Sequence, residues 1–177
     1  KDVIVYGNNG HVVRARTPNQ KKMVELCEEN DILFALGPAG TGKTYTAVAL
    51  AVRALKEKKV KRIILTRPAV EAGESLGFLP GDLKEKMFPY TISFLDNFHK
   101  LIGEDTTQAM LNEGLIEVLP LAYIRGRSID NSIIIVDEAQ NISLKNMRST
   151  MTRIGENSKM IITGDSKQID MKNRRLS

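Results

Sequence analysis

ILFALGPAGTGKTYTAVALAVRALKEK, residues 32–58, decides how this chain is read. Ile32 to Leu36 is an apolar run of strand length, Gly37 to Thr44 reads GPAGTGKT, and a helical run follows from Tyr45. G-x-x-x-x-G-K-[ST] between a strand and a helix is a phosphate cradle. Gly37, Gly40 and Gly42 permit backbone conformations closed to other residues, so amide N–H groups converge on phosphate oxygens at the positive end of the helix. Pro38, Ala39 and Thr41 complete the loop. Lys43 is expected to reach the β and γ phosphates, and the Thr44 hydroxyl to ligate a magnesium ion bridging them. An ordinary glycine turn before a helix does not account for Lys43 and Thr44 together.

Outward from this loop, strand-length apolar runs alternate with helical patterns: RIILT at 62–66, LIEVL at 115–119, SIIIV at 132–136 and KMIIT at 159–163. Continuous rather than alternating runs indicate strands buried on both faces, and strand–helix alternation indicates parallel strands with right-handed crossovers. The expected fold is α/β, with helices on both sides of a mainly parallel sheet.

Two of these strands run into acids. SIIIVDEAQ places Asp137 and Glu138 at the sheet edge where open α/β folds bind ligands. Asp137 is assigned to the magnesium ion, directly or through water, and Glu138 to the base that polarises an attacking water. Acids stabilising a helix N-terminus are the blander alternative. KMIIT continues into GDSKQ, which brings Gln168 to the same edge as a sensor of the γ phosphate. Lys43, Glu138 and Gln168 form the expected catalytic set, and Thr44 and Asp137 the metal ligands.

Upstream, VIVY and HVVRAR flank GNNG, a small hairpin read as an N-terminal appendage over residues 1–16. Thr17, Pro18 and Gln20 open a helix with an N-cap, a favoured first-turn proline and a capping-box partner, running to about Glu29. The main domain is read as 17–177, truncated at its C-terminus.

These motifs, with LTRPAVEAGESLGFLPGDLKEK at 65–86, LAYIRGRSIDN at 121–131 and ITGDSKQID at 162–170, together resemble the PhoH family of ATPases. The TRPAVEAGESLGFLPG string is far more specific than a generic phosphate loop. The resemblance implies a P-loop NTPase fold of the RecA/helicase-like kind, a three-layer sandwich, with ATP and Mg2+ as cofactors and RNA-related activity. By likeness to helicases, Gln20 ahead of the loop reads the adenine edge, which competes with pure capping. A second motor domain and its arginine are not legible here. Arg125, Arg127, Arg174 and Arg175 are therefore candidates to complete a site across a subunit interface, in a ring or other head-to-tail homo-oligomer such as a hexamer. Local ion pairing by Arg125 and Arg127, and a solvated tail around Arg174 and Arg175, are the alternatives.

The loop from Arg67 to Gly81 is longer than usual and leaves the sheet on the nucleotide side. Glu71 and Glu74 repel phosphates and suit bases, ribose hydroxyls or a neighbour's arginines, whereas Thr66 and Arg67 suit phosphate. Phe78, Phe88, Tyr90, Phe94 and Phe98 offer a stacking platform, although the spacing of the last three fits core packing better. Lys56 to Arg62, KEKKVKR, reads as a helix C-terminus away from ATP.

With 177 residues, 42% hydrophobic and 27% charged, the chain suits one globular domain and not a disordered, collagenous or disulfide-built class. The single Cys27 has no internal disulfide partner. No apolar run reaches the roughly 20 residues of a membrane span, and Lys1 to Gly10 lacks the charged-then-apolar pattern of a secretory signal, so a cytoplasmic location is expected without membrane partners. The net charge of +5 falls entirely within Leu144 to Ser177, which carries 8 basic and 3 acidic residues, an asymmetry suited to RNA or single-stranded DNA. The leading reading is Mg-dependent ATP hydrolysis coupled to such a polymer. An ATP-gated oligomeric module without nucleic acid, or a small-molecule phosphotransferase, are the competing classes.

Overall fold

A computed structural model describes residues 2–38, 42–68, 83–125 and 128–165, with backbone alone over 83–90 and at 93 and 125. Five strands, β3 (Ile32–Gly37), β4 (Arg62–Arg67), β5 (Ile116–Pro120), β6 (Ser132–Val136) and β7 (Lys159–Asp165), form one sheet in the order β3-β7-β6-β4-β5. Every neighbouring pair is parallel. The registers Gly37↔Asp165, Thr66↔Val136 and Arg67↔Pro120 bring the strand C-termini to a common edge. β7 continues two residues past the apolar run because Gly164 and Asp165 pair with Leu36 and Gly37.

The continuous aliphatic runs serve two cores at once. Ile63, Leu65, Ile133, Ile135 and Ile161 belong to one buried cluster; Ile64, Ile134, Val136, Met160 and Ile162 belong to the other. Successive side chains leave a strand on opposite faces, so a strand covered on both sides has no polar alternation. Each such buried aliphatic contributes about 1.5–3 kcal/mol relative to exposure. The first core includes residues of α1 (Pro18–Glu29), α2 (Lys43–Lys56), α3 (Leu83–Ile102) and α4 (Glu104–Asn112). The second includes residues of α5 (Leu121–Arg125) and α6 (Leu144–Met151). The result is a helix–sheet–helix sandwich.

An antiparallel hairpin, β1 (Val3–Tyr6) and β2 (Val12–Arg14), lies in the first layer. Its Ile4, Val5 and Val13 are buried in the same core as α2 and α3, and Lys56 Nζ donates to the Tyr6 carbonyl at 2.6 Å. Asn8 Nδ2 donates to the Ile102 carbonyl and, at 3.0 Å, to Thr106 Oγ1. Phe94 and Phe98 are 1% and 0% exposed, so they are core residues and not a stacking platform. Phe78 and the side chains of Phe88 and Tyr90 lie outside the described residues. Cys27 is buried in the same core, and burial pushes its thiol pKa up.

The start of α1 carries the expected capping box: Thr17 Oγ1 accepts from the Gln20 amide at 3.1 Å, and Gln20 Oε1 accepts from the Thr17 amide at 3.2 Å. Thr17→Ala is expected to lower stability by about 1 kcal/mol, with Thr17→Ser near neutral. A urea midpoint measures this, and equal losses for the two variants would deny the cap its role.

Candidate nucleotide site

β3 delivers the chain to the common edge and α2 starts from it. Gly42, at the N-cap of α2, has φ 76° and ψ 18°, a left-handed conformation that strains any other residue. Lys43, the first residue of α2, donates from Nζ to the carbonyls of Gly37 at 2.5 Å and Pro38 at 2.9 Å. Its ammonium thus lies against the loop that precedes it. Ala39, Gly40 and Thr41 lie outside the described residues.

Asp137 follows β6 and is only 7% exposed. Its backbone N–H donates to the Thr66 carbonyl at 2.9 Å, which continues the β6–β4 pairing into the site. The carboxylate gathers three elements: Oδ1 accepts from Thr163 Oγ1 at 2.7 Å and Thr44 Oγ1 at 3.5 Å, and Oδ2 accepts from Arg67 Nη2 at 2.9 Å. Arg67 also places Cζ 5.5 Å from the centroid of the Phe94 ring, within cation–π range. Arg67 is therefore turned onto an acid, where the sequence suggested a phosphate. Thr66 is fully buried, and its hydroxyl finds no partner among the described residues.

Glu138 has φ 56° and ψ 40°, again left-handed. Its Oε2 accepts from Gln140 Nε2 at 2.6 Å, and Gln140 Oε1 accepts from the Asp165 amide at 2.9 Å. No cluster of three or more His, Cys, Asp and Glu residues among those described suits a metal. A phosphate-bridging magnesium does not need one, because phosphates and water complete its shell around one hydroxyl and one carboxylate. The adjacent Thr44 hydroxyl and buried Asp137 carboxylate fit that requirement.

Gln20 faces the same edge from α1. Its Oε1 is taken by the amides of Arg16, at 2.7 Å, and Thr17, while Nε2 lies 3.7 Å from where a Cβ on Gly42 would stand. Capping uses the oxygen and leaves the amide nitrogen beside the loop. A cleft of about 560 Å³ opens here, lined by Gln20, Met23, Phe34, Leu36, Pro38 and Lys43 among others, within the range of small-molecule sites.

The structure thus brings Gln20, Gly37, Pro38, Gly42, Lys43, Thr44, Asp137 and Glu138 to one edge. Gln168, Arg127, Arg174, Arg175, Glu71 and Glu74 lie outside the described residues, as does the side chain of Arg125. Three partners escape the sequence reading: Thr163, Gln140 and the pairing of Arg67 with Asp137. A hydroxyl closing the aliphatic run KMIIT and an amide closing DEAQ are their only local signals. The Arg67–Asp137 pair spans 70 residues and has none.

A parallel sheet whose edge strand feeds a phosphate-loop helix, with the acid-bearing strand two places away, defines a P-loop NTPase-type fold. Solved structures agree: the UvsW helicase from bacteriophage T4 matches with a TM-score of 0.56 over 94% of this chain and 60% of its own, at 12% identity. The Sulfolobus solfataricus SWI2/SNF2 ATPase core in complex with double-stranded DNA matches with a TM-score of 0.54 over 86% of this chain and 32% of its own, at 16% identity. At those identities the likeness concerns fold alone.

The chain belongs to the PhoH-like protein family, whose pattern it matches over residues 12–177. It is 52% identical over 171 residues to a PhoH-like protein of Bacillus subtilis, covering 97% of this chain and 54% of the relative. It is 42% identical over 161 residues to Protein PhoH of Escherichia coli K12, covering 90% and 46%. The chain spans about half the length of these curated relatives. Among the described residues, no helix is long and apolar enough to cross a membrane.

Proposed function

We propose that this chain binds Mg-ATP and hydrolyses it, with turnover coupled to RNA or single-stranded DNA. The observation that carries the reading is the convergence on Asp137 of Thr44, the second residue of the phosphate-loop helix, with Thr163 and Arg67. That arrangement supports a reading in which the Thr44 hydroxyl and the Asp137 carboxylate would hold the metal, next in the chain to the lysine of the phosphate loop.

In this reading Lys43 exchanges the Gly37 and Pro38 carbonyls for β and γ phosphate oxygens, and the loop amides from Gly37 to Thr44 cradle the phosphates. Thr44 and Asp137 would hold the magnesium ion, which would supply positive charge against that developing on the phosphates. Glu138 accepts a proton from the attacking water as that oxygen bonds to the γ phosphorus and the β–γ bridging bond breaks. Gln168 senses the γ phosphate, and Gln20 offers Nε2 to the adenine. Arg125, Arg127, Arg174 and Arg175 remain the candidates for a cation supplied across a ring interface, with the motor module taken as 17–177 in a cytoplasmic protein.

Nucleic-acid coupling draws support from the helicase-type fold and from the basic excess after Leu144. Steady-state ATP hydrolysis with magnesium, with and without single-stranded RNA and DNA, tests the proposal. Several-fold stimulation by either polymer, abolished by Lys43→Ala, is the expected result. Slow turnover indifferent to both polymers would reject the coupling.

A further inference from the structure

Gln140 is a buried amide, 5% exposed, that joins the ends of two strands. Nε2 donates to Glu138 Oε2 at 2.6 Å beyond β6, and Oε1 accepts from the backbone N–H of Asp165 at 2.9 Å, the last residue of β7. The two bonds fix the orientation of the amide. Turned over, it would set an oxygen against a carboxylate and an NH2 group against an N–H.

Two backbone features lie beside this link. Glu138 occupies the left-handed region, which a side-chain-bearing residue keeps only when its surroundings hold it there. Gly164 lies so close that a Cβ would stand 2.9 Å from Gln140 Oε1 and 3.2 Å from the Ala139 amide nitrogen. The tip of β7 is thus packed directly onto the amide. One side chain then spans from the proposed base to the last residue of β7, three residues before Gln168 in the chain.

We infer that Gln140 is the positioning residue of the hydrolytic carboxylate: it aims Glu138 and couples it to the tip of β7. Movement at the tip of β7 would reach the Glu138 carboxylate through this amide, beside the backbone packing of Gly164 on Ala139. The inference rests on the reading of Glu138 as the base. Asparagine is one methylene too short to span both bonds, and glutamate would set carboxylate against carboxylate, so glutamine is the side chain the geometry selects.

The test is Gln140→Met on the intact chain, which keeps an unbranched side chain of similar length and removes the bonds to Glu138 and Asp165. The expected result is kcat at least tenfold lower with the ATP dissociation constant within twofold, and faster amide hydrogen exchange over 163–165. Added to Glu138→Gln, the same change should alter the residual rate less than twofold, because its target is already gone. If Glu138→Gln is inactive while Gln140→Met keeps kcat within twofold, the positioning role is overturned and the base assignment stands. If Gln140→Met weakens ATP binding in proportion to kcat, or costs the same factor in both backgrounds, the amide is structural and the inference fails. Full turnover by Glu138→Gln would remove the base, and the inference with it.

Discussion

A Glu138→Gln chain is expected to hydrolyse ATP roughly 10²- to 10⁴-fold more slowly than the unaltered protein while binding ATP with little change. The substitution is nearly isosteric, keeps a group that can bond to Gln140, and removes only the capacity to take a proton from water. Lys43, Thr44 and Asp137, to which the proposal gives phosphate and metal, are untouched by it. Single-turnover hydrolysis alongside equilibrium binding of a fluorescent ATP analogue separates the two properties. Turnover within threefold of the unaltered chain would assign the base elsewhere.

Arg67→Ala is expected to cost about 2–3 kcal/mol of stability when magnesium is absent. The Arg67 and Asp137 side chains are 17% and 11% exposed and meet at 2.9 Å. Removing one partner of a buried pair leaves the other desolvated and unpaired, at about 3–5 kcal/mol. Some access to solvent, and the hydroxyls of Thr163 and Thr44 on the same carboxylate, reduce that figure. Magnesium should restore part of the loss, because a divalent cation on Asp137 replaces the missing positive charge and binds only the folded site. Urea unfolding with and without millimolar magnesium reads both effects. A loss below about 0.5 kcal/mol would place the pair with exposed salt bridges, and equal magnesium effects on both chains would separate Arg67 from the metal position.

All five apolar runs correspond to strands; RIILT, SIIIV and KMIIT carry unbroken apolar stretches because both faces are covered, whereas β3, at the sheet edge, leaves Phe34 and Leu36 exposed. GPAGTGKT and DEAQ pointed to Lys43, Thr44, Asp137 and Glu138, which the fold gathers at one edge, because the expected chemistry depends on residue type and short spacing. The capping box at Thr17 and Gln20 was equally legible. The sequence also suggested that Phe94 and Phe98 pack in the core, and their burial agrees.

Less legible was everything that depends on which strands are neighbours. Thr163 meets Asp137 because β7 lies between β3 and β6, and nothing in KMIIT states its place in the sheet. Arg67 read as a phosphate ligand because the basic side chain and the loop were visible, whereas the acid it pairs with comes 70 residues later. The hairpin read as an appendage because its own strands are short and separate from the sheet. Ile4, Val5 and Val13 nevertheless enter the core of α2 and α3.

Sequence alone determined the α/β class, the family and the residue types at the phosphate loop and the acids, since these follow from local pattern and side-chain chemistry. Only the tertiary structure decided the partners: Thr163 and Arg67 on Asp137, and Gln140 between Glu138 and Asp165. Those contacts are set by strand order and by the backbone conformation at the sheet edge, where distant residues come within hydrogen-bond range and no local periodicity records them.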